Sequence, residues 1–506
     1  MTALTLVIKS CYRDSVALLM LARTLRATAG VSEVAALMAT DANKALMAQS
    51  DLLTSDAAAA GPNDLVVVIR ATSAGEAERA VGQAADLLSA ARRPAEAGGR
   101  PLPRTLESAR RHLRGANLAL ISVPGAFAAA ETLKALRGGL HVMLFSDNVP
   151  IDDEVALKRL AARKGLLLMG PDCGTAYLGG VPLGFANAVP RGRVGIVAAS
   201  GTGLQQVAIL LAARGEGISH ALGVGGRDMS AAVGGLMTLP ALRALAADRA
   251  TELIVVVGKP PDRAVRESVI GTLRELGTPA VLAMLGRGVE PGQDGAITTV
   301  TTLEDAATAA IAMLRGKRWS PEATIAMTTE ARIEETRKTL TARQRAIRGL
   351  YAGGTLAHEA VLILESLLGD VSSNLKPGVE RRHHIVDLGA DEFTVGRAHP
   401  MLDPGARIDA IARAAKDPEV AVLLLDVVLG YGVAANPAGD IVPALEAARA
   451  EAAAHGRGLA VVTTVVGTRD DPQGLAGQIA RLEAAGAWVL PSNAEAVRVA
   501  ARLATG

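Results

Sequence analysis

The chain has 506 residues, half of them hydrophobic, yet only 2% are aromatic. A length of this kind implies three or four domains, and apolar content carried by Ala, Leu, Val and Gly suits small-residue helices packed on buried parallel strands. With 53 basic and 51 acidic residues and few rings for base stacking, a nucleic-acid partner is not expected. Runs such as Leu253–Val257 and Val420–Leu425 fall far short of the ~20 residues that span a bilayer. Met1–Ser10 lacks the features of a signal peptide. The two cysteines, Cys11 and Cys173, exclude a disulfide framework and fit a reducing cytoplasm.

Residues 1–91 read as a small α+β domain. Its strands are near 4–9, 31–38 and 65–69, and its helices near 15–27, 41–49 and 74–91; a ferredoxin-like arrangement is one candidate. The Pro-, Gly- and Arg-rich stretch 92–104 reads as a linker. Alternating strands and helices over 105–190 predict a Rossmann-type parallel sheet covered by helices. A second α/β domain is expected over 191–315, with strands at 194–199, 253–257 and 280–284. A charge-rich helical linker is expected over 316–349. A third α/β domain, over 350–506, has strands near 385–387, 420–426, 460–465 and 487–490. The last two domains are read as flavodoxin-like.

Four segments carry candidate chemistry. In VGIVAASGTGLQQ an apolar strand meets Ser200-Gly201-Thr202-Gly203 and a helix follows at once. Free N–H groups at a helix start favour phosphate or carboxylate; the plainer alternative is a strand–helix turn with a serine cap. Gly430-Tyr431-Gly432 closes another buried strand, at the end where open α/β sheets bind ligands, and a long structural loop is its alternative. Cys173 lies in the Gly-rich loop Gly170-Pro171-Asp172-Cys173-Gly174 and is more readily an inert thiol than a nucleophile. Arg227 offers a fork for a planar acid and Asp228 a carboxylate, against the alternative of a local salt bridge. The histidines are scattered, and no Cys/His metal spacing appears.

At these residues the chain resembles succinyl-CoA synthetase. The run from Ser122 through Cys173, with Val123-Pro124 and Phe127 and with GPDC, is similar to the CoA-binding domain of the alpha subunit. GRVGIVAASGTG is similar to its phosphate-binding turn, and the last 155 residues look like the C-terminal domain of the beta subunit. The fused order, with GPDCGTA, GVGGRDMS and GLYAGGTLAHEA, resembles the FdrA family of acyl-CoA synthetase-like proteins. The synthetase's phosphorylated histidine has no counterpart in Met284–Ile297, which holds no histidine, and its ATP-binding domain is missing.

The resemblance implies a succinyl-CoA-synthetase-like α/β fold in which Ser200–Gly203 and Gly430–Gly432 face one phosphate. It implies a CoA-like site at Pro124 and Gly170–Gly174, and no tightly bound cofactor or metal. Relatives of FdrA are linked to oxamate carbamoyltransferase, working with companion subunits. The expected function is therefore transfer of a carbamoyl or acyl group between phosphate and an oxamate-like acid, with phosphate or carbamoyl phosphate as substrate. In that reading Arg227 holds the carboxylate and Asp228 orients the amide. The alternatives are an ADP-forming acyl-CoA synthetase using CoA, and a non-catalytic scaffold or sensor. A homo- or hetero-oligomer is expected.

Overall fold

The structure is a computed structural model. It describes all residues except 1, 12, 14, 27, 41–42, 45–46, 49, 91–102, 322–326, 376–377, 379–380, 395–397 and 506. The expected helix at 41–49 therefore lies partly outside the described residues, as does the linker at 92–104. The chain forms two compact units, one of residues 1–104 with 391–403, the other of residues 105–390 with 404–506. Among the described residues no helix is long and apolar enough to cross a membrane.

In the first unit the strand Leu65–Ala71 lies between Thr2–Ile8 and Val31–Met38, antiparallel to both. Its period-two alternation sorts the core. Leu65, Val67 and Ile69 pack with Leu18, Leu25, Ala80 and Ala84 of the flanking helices. Val66 and Val68 point the other way, to Met47, Leu52 and Ala57.

The second unit has a succinyl-CoA-synthetase-like α/β fold. Leu118–Ile121, His141–Leu144 and Leu168–Met169 make a parallel three-stranded sheet. An eight-stranded sheet centres on Arg191–Ala198, Leu253–Gly258 and Ala280–Met284, which are parallel. A six-stranded, wholly parallel sheet runs in the order Val371–Ser373, His383–Asp387, Ala346–Tyr351, Val420–Val428, Ala460–Val466, Trp488–Leu490. All nine residues of Val420–Val428 are buried, as expected of a central strand covered on both faces.

Two boundaries differ from the sequence reading. The hairpin Thr175–Leu178 and Val181–Gly184 joins the eight-stranded sheet, so the Rossmann-type part ends near residue 174 rather than 190. Ala346–Tyr351 is not the end of a linker but an inner strand of the six-stranded sheet. Arg348 and Gly349 disguise it. Arg348 pairs with Asp417 at 2.8 Å. A Cβ at Gly349 would come within 2.4 Å of Ile385 Cδ1, so a larger residue there would have to displace the Ile385 side chain.

The two larger sheets are joined through Asn187, which is fully buried. Its amide nitrogen donates to Leu429 O at 2.8 Å, Val466 O at 3.2 Å and Asp471 Oδ2 at 2.8 Å. Its oxygen accepts from Gln205 at 3.2 Å. Buried polar groups satisfied this fully specify one packing of the two halves.

Candidate functional site

Ser200 is the N-cap of the helix Gly201–Ala213, and its Oγ accepts from Gly203 N at 2.9 Å. The same hydroxyl donates to Thr355 Oγ1 at 2.6 Å. Thr355 lies in the first turn of the helix Gly354–Leu368, which Gly353 caps. Two helix starts, one from each large sheet, therefore meet head to head. Glycine lets them close: a Cβ at Gly203 would sit 3.0 Å from Val257 Cγ1 and 3.1 Å from Thr355 Cγ2, and one at Gly353 3.0 Å from Thr202 Cγ2. Among the described residues the amides of Gly201, Thr202, Gly354 and Thr355 donate to no protein acceptor. Free N–H groups at two converging helix starts are groups that can take an anion.

The turn opposite Ser200–Gly203 is thus Gly353–Thr355, not Gly430–Gly432. The latter does not start a helix; the next one begins at Pro437. Tyr431 N donates to Ala186 O at 2.8 Å, and Gln473 clamps Gly430 from both sides, accepting from its N at 3.0 Å and donating to its O at 2.8 Å. The Gly430 turn still borders the junction through the hairpin: Thr175 Oγ1 donates to Phe185 O at 2.7 Å. Gly201 abuts Thr175, and Gly432 abuts the Phe185 ring.

Carboxylates lie beneath the second turn. Asp426, fully buried, accepts from Ala352 N and Gly353 N, both at 2.8 Å, and pairs with Arg407. Asp387 crowds Gly354, where a Cβ would lie 2.4 Å from its Oδ2. One turn further along the helix, His358 Nε2 donates to Leu285 O at 3.2 Å, tying this helix to the histidine-free segment Met284–Ile297. Glu359 beside it is buried, accepting from Leu303 N at 2.7 Å and Asn493 Nδ2 at 2.8 Å.

Burial pushes the Glu359 carboxyl up from 4.5 to about 7. With the folded value above the unfolded one, its contribution is full below pH 4.5 and is lost as pH rises through about 7. The loss is roughly 3 kcal/mol. Glu359→Gln should remove that part of the stability decline, seen as a denaturant midpoint that changes less between pH 5 and pH 7.5 than in the wild type. Parallel pH curves for the two proteins would refute the assignment.

Arg227 and Asp228 part company. Asp228 is fully buried and saturated, accepting from Lys158 Nζ at 2.8 Å, Met237 N at 3.2 Å, Thr238 N at 2.8 Å and Thr238 Oγ1 at 2.6 Å. A carboxylate so enclosed cannot reach a substrate; it ties Lys158 to the start of the helix Thr238–Ala247. Lys158, also fully buried, binds Glu154 Oε1 at 2.7 Å. Glu154 Oε2 in turn pairs with Arg227 at 2.8 Å, and the Arg227 side chain remains 47% exposed. Arg227 also donates to Val149 O at 2.7 Å.

The Gly170–Gly174 loop lies at the carboxyl end of the three-stranded sheet. Asp172 N donates to Ser146 O at 3.0 Å, and Ser146 Oγ donates to Val123 O at 2.5 Å, next to Pro124. Pro124 caps the helix Gly125–Arg137 without a side-chain bond. Pro171 O is 2.4 Å from where a Gly225 Cβ would be, so Arg227's loop packs on this one. Cys173 is buried and its thiol is pushed up to about 12, chiefly by burial, which leaves it protonated and unreactive.

Sequence reasoning missed Thr355, Gly353–Gly354, Glu154, Lys158, Asp426 and Glu359. For Gly353–Thr355 the signal was present: strand, Gly-Gly-Thr, then helix has the same grammar as strand, Ser-Gly-Thr-Gly, helix.

Residues 350–503 match the family described as CoA-ligase, and residues 1–102 match the family described as AllF, heavy metal-associated domain. The chain is 39% identical to Escherichia coli YahF over 492 residues, 95% of each chain. It is 31% identical over 185 residues to a succinate–CoA ligase [ADP-forming] alpha subunit of Archaeoglobus fulgidus, covering 35% of this chain and 62% of that subunit. A dinucleotide-forming acetyl-coenzyme A synthetase of Ca. Korarchaeum cryptofilum aligns over 76% of this chain and 82% of its own at 17% identity, with a TM-score of 0.30. Residues 1–102 do not fit a thiolate-bound heavy metal. Soft metals select clustered thiolates, whereas Cys11 is the sole cysteine of this segment and is buried. The adjoining Lys9 Nζ and Ser10 N are both engaged by Asp64, each at 2.9 Å.

Proposed function

Because the chain belongs to the family of Escherichia coli YahF, and its residues 350–503 match the CoA-ligase family, we propose that it is an FdrA-type enzyme subunit of the CoA-ligase class. It passes an acyl group between phosphate and an acceptor, with the acyl phosphate held where the helix starts Ser200–Gly203 and Gly353–Thr355 converge. The observation that carries this reading is the 2.6 Å Ser200–Thr355 contact between those two turns.

The amides of Gly201, Thr202, Gly354 and Thr355 take the phosphoryl oxygens and stabilise charge as the acyl–oxygen bond breaks, without reorganising. Ser200 and Thr355 fix the spacing of the two helix starts. Arg227, held by Glu154 and Val149, receives the carboxylate of the acid substrate, and Asp228 positions that arm from behind. The crevice at Pro124 and Gly170–Gly174 takes CoA, and the Gly430–Gly432 turn forms the rim. Met284–Ile297 holds no histidine, so transfer runs directly rather than through a phosphorylated histidine. Nucleotide binding falls to a companion subunit. Two buried free cysteines suit a cytoplasmic setting.

A second reading has carbamoyl phosphate as the donor and an oxamate-like acid as the acceptor. It is favoured by the histidine-free segment Met284–Ile297. A turnover screen on the full chain, with and without the products of neighbouring genes, separates the two. Thioester formation that needs CoA and nucleotide supports the ligase reading. Phosphate-dependent cleavage of oxalurate with no response to CoA supports carbamoyl transfer. No turnover of either kind with all partners present would sink both.

A further inference from the structure

Asp426 sits where an anion would least tolerate it. It lies near the carboxyl end of the strand Val420–Val428 and is fully buried. It accepts from the amides of Ala352 and Gly353, both at 2.8 Å, and these directly precede the free amides of Gly354 and Thr355. A Cβ at Gly353 would be 3.0 Å from Asp426 Oδ2 and 3.0 Å from Thr202 Cγ2, so the carboxylate and the Ser200–Gly203 turn both border this glycine. Asp387, beside Gly354, is a second buried carboxylate. Negative charge this close, sealed from water, opposes a bound anion.

Arg407 compensates for it. It is the cation paired with Asp426 among the described residues, and it is 4% exposed. Local physics does not explain its place. It stands in the first turn of the helix Gly405–Lys416, where the helix dipole disfavours a cation. Its Nε is buried without a hydrogen-bond partner. Replacing a buried ion pair by apolar residues is often neutral or stabilising, so stability does not account for the pair either.

We propose that Arg407 is a positioning residue of the anion site. By holding its charge against Asp426, it lets a carboxylate order the Gly353–Thr355 turn without repelling the phosphoryl group. The inference rests on the acyl-phosphate reading of that junction and adds the group that sets its charge. Arg407 acts through Asp426 and touches no reacting atom.

Calorimetric titration of the full chain with inorganic phosphate tests it, with circular dichroism checking each fold. Arg407→Met leaves Asp426 uncompensated and should weaken phosphate binding at least roughly tenfold. Arg407→Lys keeps the charge and should stay within about threefold of the wild type. The double variant Arg407→Met/Asp426→Asn carries neither charge and should also bind within about threefold of the wild type. A purely architectural role for the guanidinium would not allow that rescue, and the double variant decides the matter even if Arg407→Met alone does not fold. A double variant weakened about tenfold, or a folded Arg407→Met with unchanged affinity, would overturn the inference and leave the anion site standing. No phosphate binding by the wild type would remove the site itself, and the inference with it.

Discussion

Lys158→Ala should destabilise the second unit by about 3–5 kcal/mol. The ammonium is fully buried between Glu154 Oε1 at 2.7 Å and Asp228 Oδ1 at 2.8 Å, and both carboxylates are sealed from solvent. Removing it leaves two negative groups facing each other without water, and Val224 O loses a donor at 2.9 Å. Lys134→Ala is the control. Lys134 also pairs with a glutamate on its own helix, Glu131 at 2.6 Å, but its side chain is 52% exposed, so about 0–1 kcal/mol is expected. Denaturant titrations of both variants measure the contrast; equal midpoints would mean that solvent reaches the Lys158 network. Because Glu154 also holds Arg227, Lys158→Ala should loosen that arm as well.

The second large effect is on ligand affinity. Thr355→Ala removes the Ser200 acceptor at 2.6 Å and frees the two helix starts to drift apart. Ser200→Ala deletes the cap on Gly203 as well, a loss of about 0.5–2 kcal/mol in stability. A hydrogen bond between neutral groups contributes about 0.5–1.5 kcal/mol, so each substitution should weaken phosphate or acyl phosphate binding by roughly 2- to 10-fold. The two share one contact and should not add: the double variant should cost little more than Ser200→Ala alone. Tyr431→Phe should leave phosphate affinity unchanged, since that turn lies outside the junction. Additive losses at Ser200 and Thr355, or a large loss at Tyr431, would place the anion elsewhere.

The Ser200 turn was legible because its signals are local: an apolar strand end, two glycines that permit tight geometry, and an apolar helix whose depth matches its sequence. The partner turn was hidden because recognising it required recognising Ala346–Tyr351 as a strand. There the arginine at 348 and the glycine at 349 answer to neighbours far along the chain, Asp417 and Ile385. Gly430–Gly432 looked equivalent because a Gly-rich turn at a strand end carries no mark of whether a helix follows immediately or several residues later. The pair Glu154 and Lys158 reads as a solvent-facing i, i+4 pair; only tertiary packing against Asp228 makes it a buried network. Asp228 was read as a carboxylate that orients the substrate amide, yet it is fully buried; spacing reports which residues are neighbours and not how deep they lie.

The most direct test is a calorimetric titration of the full chain with inorganic phosphate, followed by competition with carbamoyl phosphate. The account predicts saturable binding at one site per chain, displaced by carbamoyl phosphate and weakened severalfold in Thr355→Ala. No saturable binding, or binding that is indifferent to Thr355, would contradict it.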